Sequence, residues 1–293
     1  MTEGPPCAAC VHSPFVISRE AVVGEKMKQI LLTNDDGITA PGLRALLGPL
    51  SAAGDVTVVA PAEEQSGVSH SIVYRRPVAC ERVTLADGVV GWAVDAYPVD
   101  CVKLAFDQLL DAPPDLVVSG INRGANLGGH LFYSGTVAAA LEASVMGVMG
   151  IAVSLGAPPS DPFWNPDPRK RDLKPYDFVG AAETFMQAFE EINRADLGPV
   201  AVNVNIPPDG TDLCGMRWTS QCRGPMPDTY SVTADADGRE LFQMHSRADE
   251  FPPEAESDRA LLAKGYVTLT PMHCDLTCRE TLGKLKRLPP SDT

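Results

Sequence analysis

Residues 30–32, Ile-Leu-Leu, form an apolar run without alternation that leads straight into Thr-Asn-Asp-Asp-Gly. A strand covered on both faces reads this way, because neither side meets water. Leucines at 43, 46, 47 and 50 then form a helical stripe over residues 40–53, with Pro41 suited to its first turn. Pro49 lies inside that stripe and predicts a kink or an early end. Gly54 stops the segment, and residues 55–60, Asp-Val-Thr-Val-Val-Ala, make a second strand rich in β-branched residues. Strand, helix and strand within about thirty residues is a βαβ unit, which requires a parallel sheet and a right-handed crossover.

The pattern continues along the chain. Residues 72–94 alternate as short strands with Asp87-Gly88 as a hairpin turn, and residues 99–110 read as a helix. A buried strand, 115–120, follows Pro113-Pro114 and opens into a glycine-rich stretch, 121–136, before a helix at 137–146. Residues 151–155 are another strand, and the proline- and aspartate-rich segment 156–175 is a surface loop beside the site. An amphipathic helix at 176–194 precedes the alternating strand 200–206, closed by Pro207-Pro208. Residues 211–250 read as hairpins with a turn at 235–238, so Asp235 and Asp237 are turn formers rather than metal ligands. Residues 265–271 form a last strand before a polar tail.

This order predicts an α/β fold, a Rossmann-like three-layer sandwich with a mainly parallel sheet over residues 27–210. Residues 211–293 then supply a C-terminal β-hairpin extension too poor in continuous core pattern to stand alone, and residues 1–26 form an extension set aside from the fold.

A formal net charge of -14 argues against tracking a nucleic-acid duplex, which calls for a basic groove. A small phosphorylated substrate stays open, since a bound cation reverses the field locally. The most apolar window, 136–155, is broken by Glu142, Ser144 and several glycines, so no membrane span is expected. The N-terminus lacks the basic start and apolar core of a secretory signal, which points to the cytoplasm. Of eight cysteines, Cys7 and Cys10 with His12, and Cys274 and Cys278 with His273, make only a loose zinc pattern. Reduced thiols are expected instead.

The chemistry centres on Asp35 and Asp36. In a continuing strand they would point to opposite faces, but Gly37 allows a turn on which both carboxylates converge. Two anionic oxygen donors at the carboxyl end of a parallel strand suit Mg²⁺ or Mn²⁺. A plain polar turn has the same composition. Ser66 and Gly67 follow the second strand and leave from the same sheet edge. The glycine-rich stretch ends in Ser134-Gly135-Thr136 at a helix start, where free amides favour phosphate, although Ser134 also suits a simple N-cap. The stretch is neither a Walker loop nor a dinucleotide fingerprint.

These residues resemble the SurE survival proteins, metal-dependent nucleotidases acting on nucleoside monophosphates. Asn34-Asp35-Asp36-Gly37 with Ala40-Pro41-Gly42 is similar to the opening motif, and Ala60-Pro61 through Ser66-Gly67 to Ser71-Ile72 to the second. The third runs from Ser119-Gly120-Ile121-Asn122 through Gly124, Asn126 and Gly128 to Tyr133-Ser134-Gly135-Thr136-Val137. Asn203-x-Asn205-x-Pro207 and Gly265-Tyr266-Val267-x-Leu269-Thr270-Pro271 fit later signatures. The resemblance implies one divalent cation per subunit on Asp35, Asp36, Ser66 and Asn122, with Asp35 and Asp36 catalytic. It implies that Asn34, Gly67, Gly124, Asn126, Ser134, Gly135 and Thr136 hold the substrate and its phosphate. It further implies that the β-hairpin extension over residues 211–293 is used in oligomerisation to a homodimer or homotetramer, with 5′- or 3′-nucleotidase activity, and exopolyphosphatase activity as an open question. Three departures stand out: Asp95-Ala96-Tyr97-Pro98-Val99-Asp100-Cys101, Gly129-His130 and Val73. A haloacid-dehalogenase phosphatase would space its acids as Asp-x-Asp, and a receiver domain would need a further aspartate and a late lysine. A non-catalytic, metal-dependent nucleotide-binding module is the alternative from another class.

Overall fold

The computed structural model describes residues 27–85, 88–157, 176–208, 210–225, 228–246 and 252–287. The first strand β1 (Met27–Thr33) leads through α1 (Pro41–Ala53) to β2 (Gly54–Pro61). An antiparallel pair, β3 (Cys80–Thr84) and β4 (Val90–Val94), follows, then α2 (Pro98–Leu104) continuing into a π-helical turn (Ala105–Leu109). The chain returns as β5 (Leu116–Arg123), a 3₁₀ turn (Gly128–Phe132), α3 (Gly135–Val145), β6 (Met149–Leu155), α4 (Phe178–Ala195) and β7 (Ala201–Ile206). The last part holds β8 (Met216–Trp218), β9 (Asp228–Ala234), β10 (Glu240–Ser246), α5 (Asp258–Leu262), β11 (Val267–Met272) and α6 (Arg279–Leu285).

Among the described residues nine strands form one sheet in the order β3-β4-β2-β1-β5-β6-β7-β11-β8, parallel from β4 to β7. Adjacent residues of β1 serve opposite faces: Ile30 and Leu32 pack with α1 and α4, while Leu31 packs with α2 and α3. That division accounts for the unalternating apolar run. The three-layer α/β architecture follows. Strand order reverses at β1: the chain moves outward through β2 on one side, then outward through β5, β6 and β7 on the other. The crevice between the carboxyl ends of β1 and β5 is therefore the topological switch point, where open α/β sheets bind ligands.

Several expectations change against the structure. Pro49 neither ends nor shortens α1, which runs on to Ala53. Gly48 precedes it and has no Cβ to clash with the proline ring, and buried Leu46, Leu47 and Leu50 hold both sides of the site against the sheet. Strand β7 alternates in sequence yet is buried throughout. Its alternation separates core from functional crevice, not core from water. The polar tail contains α6, and the boundary read at residue 210 runs through the large sheet, since β8 and β11 belong to it. Most of the 156–175 loop lies outside the described residues, as do Cys7, Cys10, His12 and Asp87.

Candidate active site

At the end of β1 the chain turns sharply, and Gly37 takes a φ of 96°. Fully buried Asn34 braces the turn by donating its side-chain amide to the Gly37 carbonyl at 2.9 Å. Read from the sequence as a substrate-binding residue, Asn34 acts here as a strut beneath the acids. Asp35 is 4% exposed and points at the start of α3, where its carboxylate accepts from the Thr136 amide at 2.9 Å and from the Thr136 hydroxyl. Gly135 makes this approach feasible. A Cβ there would meet the Asp35 Cβ at 3.0 Å and Oδ2 at 3.1 Å.

Asp36 turns the other way. Its Oδ2 accepts from the Arg123 amide at the end of β5, at 3.3 Å, which brings the β5 terminus and Asn122 to the acidic turn. Asn122 donates its side-chain nitrogen to the Gly124 carbonyl at 2.7 Å, turning its Oδ1 away from that carbonyl. Burial pushes Asp35 up from the ordinary carboxylate range. It pushes Asp36 up to about 7, with the neighbouring Asp35 charge adding to the effect.

The loop after β2 closes over the turn. The Gln65 amide donates to the Asp35 carbonyl at 2.7 Å, and the backbone of Glu63 and Glu64 lies against Gly37. Ser66 is exposed and donates its hydroxyl to Glu64 at 2.7 Å, and Gly67 adopts a φ of 73°. Further along, Ser69 bonds the Tyr133 carbonyl at 2.9 Å and the Phe132 carbonyl at 2.6 Å. His70 meets buried Glu142 of α3 at 2.8 Å, where Lys103 also donates at 2.9 Å. The loop carrying Ser66 is thus strapped to the segment that leads into α3.

The glycine-rich stretch is shaped by polar groups beneath it. Asn126 donates its backbone amide to Asn205 Oδ1 at 2.8 Å and its side-chain amide to Ser154 at 2.9 Å. Its carbonyl accepts from Asn203 at 2.8 Å and Asn205 at 3.0 Å. Fully buried Asp258 accepts from the Gly128 amide at 2.8 Å and the Cys222 amide at 2.9 Å. The Gly124 amide goes to Leu155, and Ser134 caps α3 by accepting from the Val137 amide at 3.1 Å. Of the residues read as phosphate-binding, Gly124, Asn126, Ser134 and Thr136 therefore have these groups committed to the scaffold.

A sequence profile described as Survival protein SurE matches residues 30–227. The 5′-nucleotidase SurE of Syntrophobacter fumaroxidans is 38% identical over 261 residues, covering 87% of this chain and 98% of the relative. That of Rhodopirellula baltica is 40% identical over 262 residues, covering 88% and 97%. Among solved structures, the SurE protein from Aquifex aeolicus superposes with a TM-score of 0.71 at 30% identity, covering 88% of this chain and 98% of that one. This chain belongs to the SurE family.

The SurE motifs thereby acquire physical roles. Gly42 of the opening motif lets α1 approach β5, since a Cβ there would meet the Ile121 carbonyl oxygen at 2.0 Å. Asn203 and Asn205 of a later motif hold the glycine-rich stretch through Asn126. The sequence signal for them was two asparagines at period two in an otherwise apolar strand. Asp258 had no such signal. The Asp100 carboxylate accepts from the Val73 amide at 3.0 Å while capping α2 through the Tyr97 amide at 3.2 Å.

The residues present suit a hard divalent cation. The acids contribute anionic oxygens, and Ser66 and Asn122 add neutral ones, the donor type that Mg²⁺ and Mn²⁺ take. Two neighbouring acids, Asp35 buried and Asp36 half-buried, both with raised pKa values, mark the electrostatic environment that such a cation relieves. The exposed Arg123 guanidinium lies over the Tyr176 ring at 5.2 Å. Among the described residues no three His, Cys, Asp or Glu side chains gather as a metal cluster, and Cys274 and Cys278 are free thiols.

Proposed function

We propose that this chain hydrolyses nucleoside monophosphates to nucleoside and inorganic phosphate, using one Mg²⁺ or Mn²⁺ per subunit. The carrying observation is Asp35 and Asp36 side by side, one held by the first turn of α3 and the other by the end of β5. The name 5′-nucleotidase borne by SurE relatives supports the same reading. Asp35, Asp36, Ser66 and Asn122 would hold the cation, which supplies charge to polarise a phosphoryl oxygen and acidify an attacking water.

Asp35 is the fixed ligand, because two bonds from Thr136 set its orientation. Asp36 has the looser carboxylate and orients the attacking water. The Thr136 and Val137 amides are already engaged, so the Gly135 amide at the mouth of α3 is the donor for the phosphate. Water oxygen bonds to phosphorus, the phosphorus–oxygen bond to the leaving group breaks, and the proton released by water passes to that leaving oxygen. Phosphate release from AMP or GMP with Mn²⁺, and none with EDTA, is the expected result. Binding without release would leave a nucleotide-binding module instead.

The β9–β10 hairpin stands apart from the large sheet and exposes Tyr230, Val232, Phe242 and Met244. A second copy of this chain covering that face would give the homodimer or homotetramer, which light scattering on the full chain tests. A cytoplasmic setting agrees with the six described cysteines, all free. A panel of 5′- and 3′-monophosphates and polyphosphate separates the finer activities.

A further inference from the structure

Glu64 was not among the site residues read from the sequence, yet its carboxylate accepts the Ser66 hydroxyl at 2.7 Å. A serine hydroxyl has one proton and two lone pairs, and on an exposed loop its rotor is otherwise loosely set. A proton pointing at a cation repels it. A proton held elsewhere presents a lone pair. We infer that Glu64 is a positioning residue for the cation site, holding the Ser66 proton so that the Ser66 oxygen faces the acidic turn. The loop is in place for this: the Gln65 amide, between the two residues, bonds the Asp35 carbonyl at 2.7 Å, and the Glu64 backbone nitrogen lies beside Gly37. Groups that orient a ligand without touching the metal typically change affinity by about 10–100-fold.

The inference rests on Ser66 being a cation ligand, and its test separates the two ideas. Mn²⁺ alone is titrated into the full-length protein and free Mn²⁺ is read by electron paramagnetic resonance. Glu64→Ala should weaken binding by about tenfold or more. Glu64→Gln keeps an acceptor oxygen for the hydroxyl and should recover most of that loss. In a Ser66→Ala background, Glu64→Ala should add nothing. Equal losses for Glu64→Ala and Glu64→Gln, or an undiminished loss in the Ser66→Ala background, would mean that Glu64 acts only through its charge and would overturn the inference. Unchanged binding by Glu64→Ala would overturn it too. Wild-type protein that binds no Mn²⁺ would overturn the cation reading itself, and this inference with it.

Discussion

Two turns of this chain look alike on paper: Asp35-Asp36-Gly37 after β1, and Asp235-Ala236-Asp237-Gly238 between β9 and β10. In both, the glycine takes a positive φ, 96° at Gly37 and 79° at Gly238. Both leading aspartates also collect donors. Asp235 accepts from the amides of Asp237 and Arg239 at 3.0 and 2.9 Å, all within four residues. Asp35 accepts from Thr136, 101 residues away. Their acidities move in opposite directions. Hydrogen bonds hold half-buried Asp235 below the usual carboxylate range, while fuller burial pushes Asp35 above it despite its bonds from Thr136. Similar donors in water make a stable turn, and in a covered crevice they make a site that favours added positive charge.

The sharpest challenge to that contrast is paired mutation. Asp36→Ala should lower Mn²⁺-dependent phosphate release from AMP by about 10³-fold or more while circular dichroism stays native. Asp237→Ala should leave turnover unchanged. Full activity in Asp36→Ala would erase the distinction.

Acidity offers a second test, in EDTA-treated protein. Asp36 titrates at about 7 when folded against an ordinary 3.8, so between those values the folded chain keeps a proton that the unfolded chain has lost. Its contribution is complete below pH 3.8, falls as pH rises toward 7 and is flat beyond, by no more than about 4 kcal/mol. Urea unfolding of Asp36→Asn should lack this decline, and a parallel decline in both proteins would assign it elsewhere. Asp235 behaves oppositely, its contribution present above its ordinary pKa and lost in acid.

Gly135→Ala tests the close approach that the hairpin turn has no need of. Displacing Asp35 should cost about 10²-fold in kcat. Asn205→Ala, which strips the support under Asn126, should destabilise by about 1–3 kcal/mol in urea unfolding and raise KM. Unchanged KM would make Asn205 structural only.

Much of the fold was legible because local rules and tertiary outcome agree. The unalternating run at β1, the leucine stripe of α1 and the β-branched β2 announce a βαβ unit, and the turn at 235–238 announces the β9–β10 hairpin. Pro49 misled because a preceding glycine and three buried leucines outweigh the lost amide. The acidic pair was legible as two carboxylates on a turn at the end of β1. Its support was not: Thr136 reads equally well as a phosphate ligand, and only the packing of α3 on β1 commits it to Asp35.

Sequence alone determined the element order, the parallel sheet and the residue types able to hold a cation, because periodicity, turn chemistry and side-chain donors are local properties. Tertiary structure decided which donors meet and which are covered. Two carboxylates differ from a polar turn only when distant strands and a helix remove the water around them, and no spacing along the chain encodes that burial.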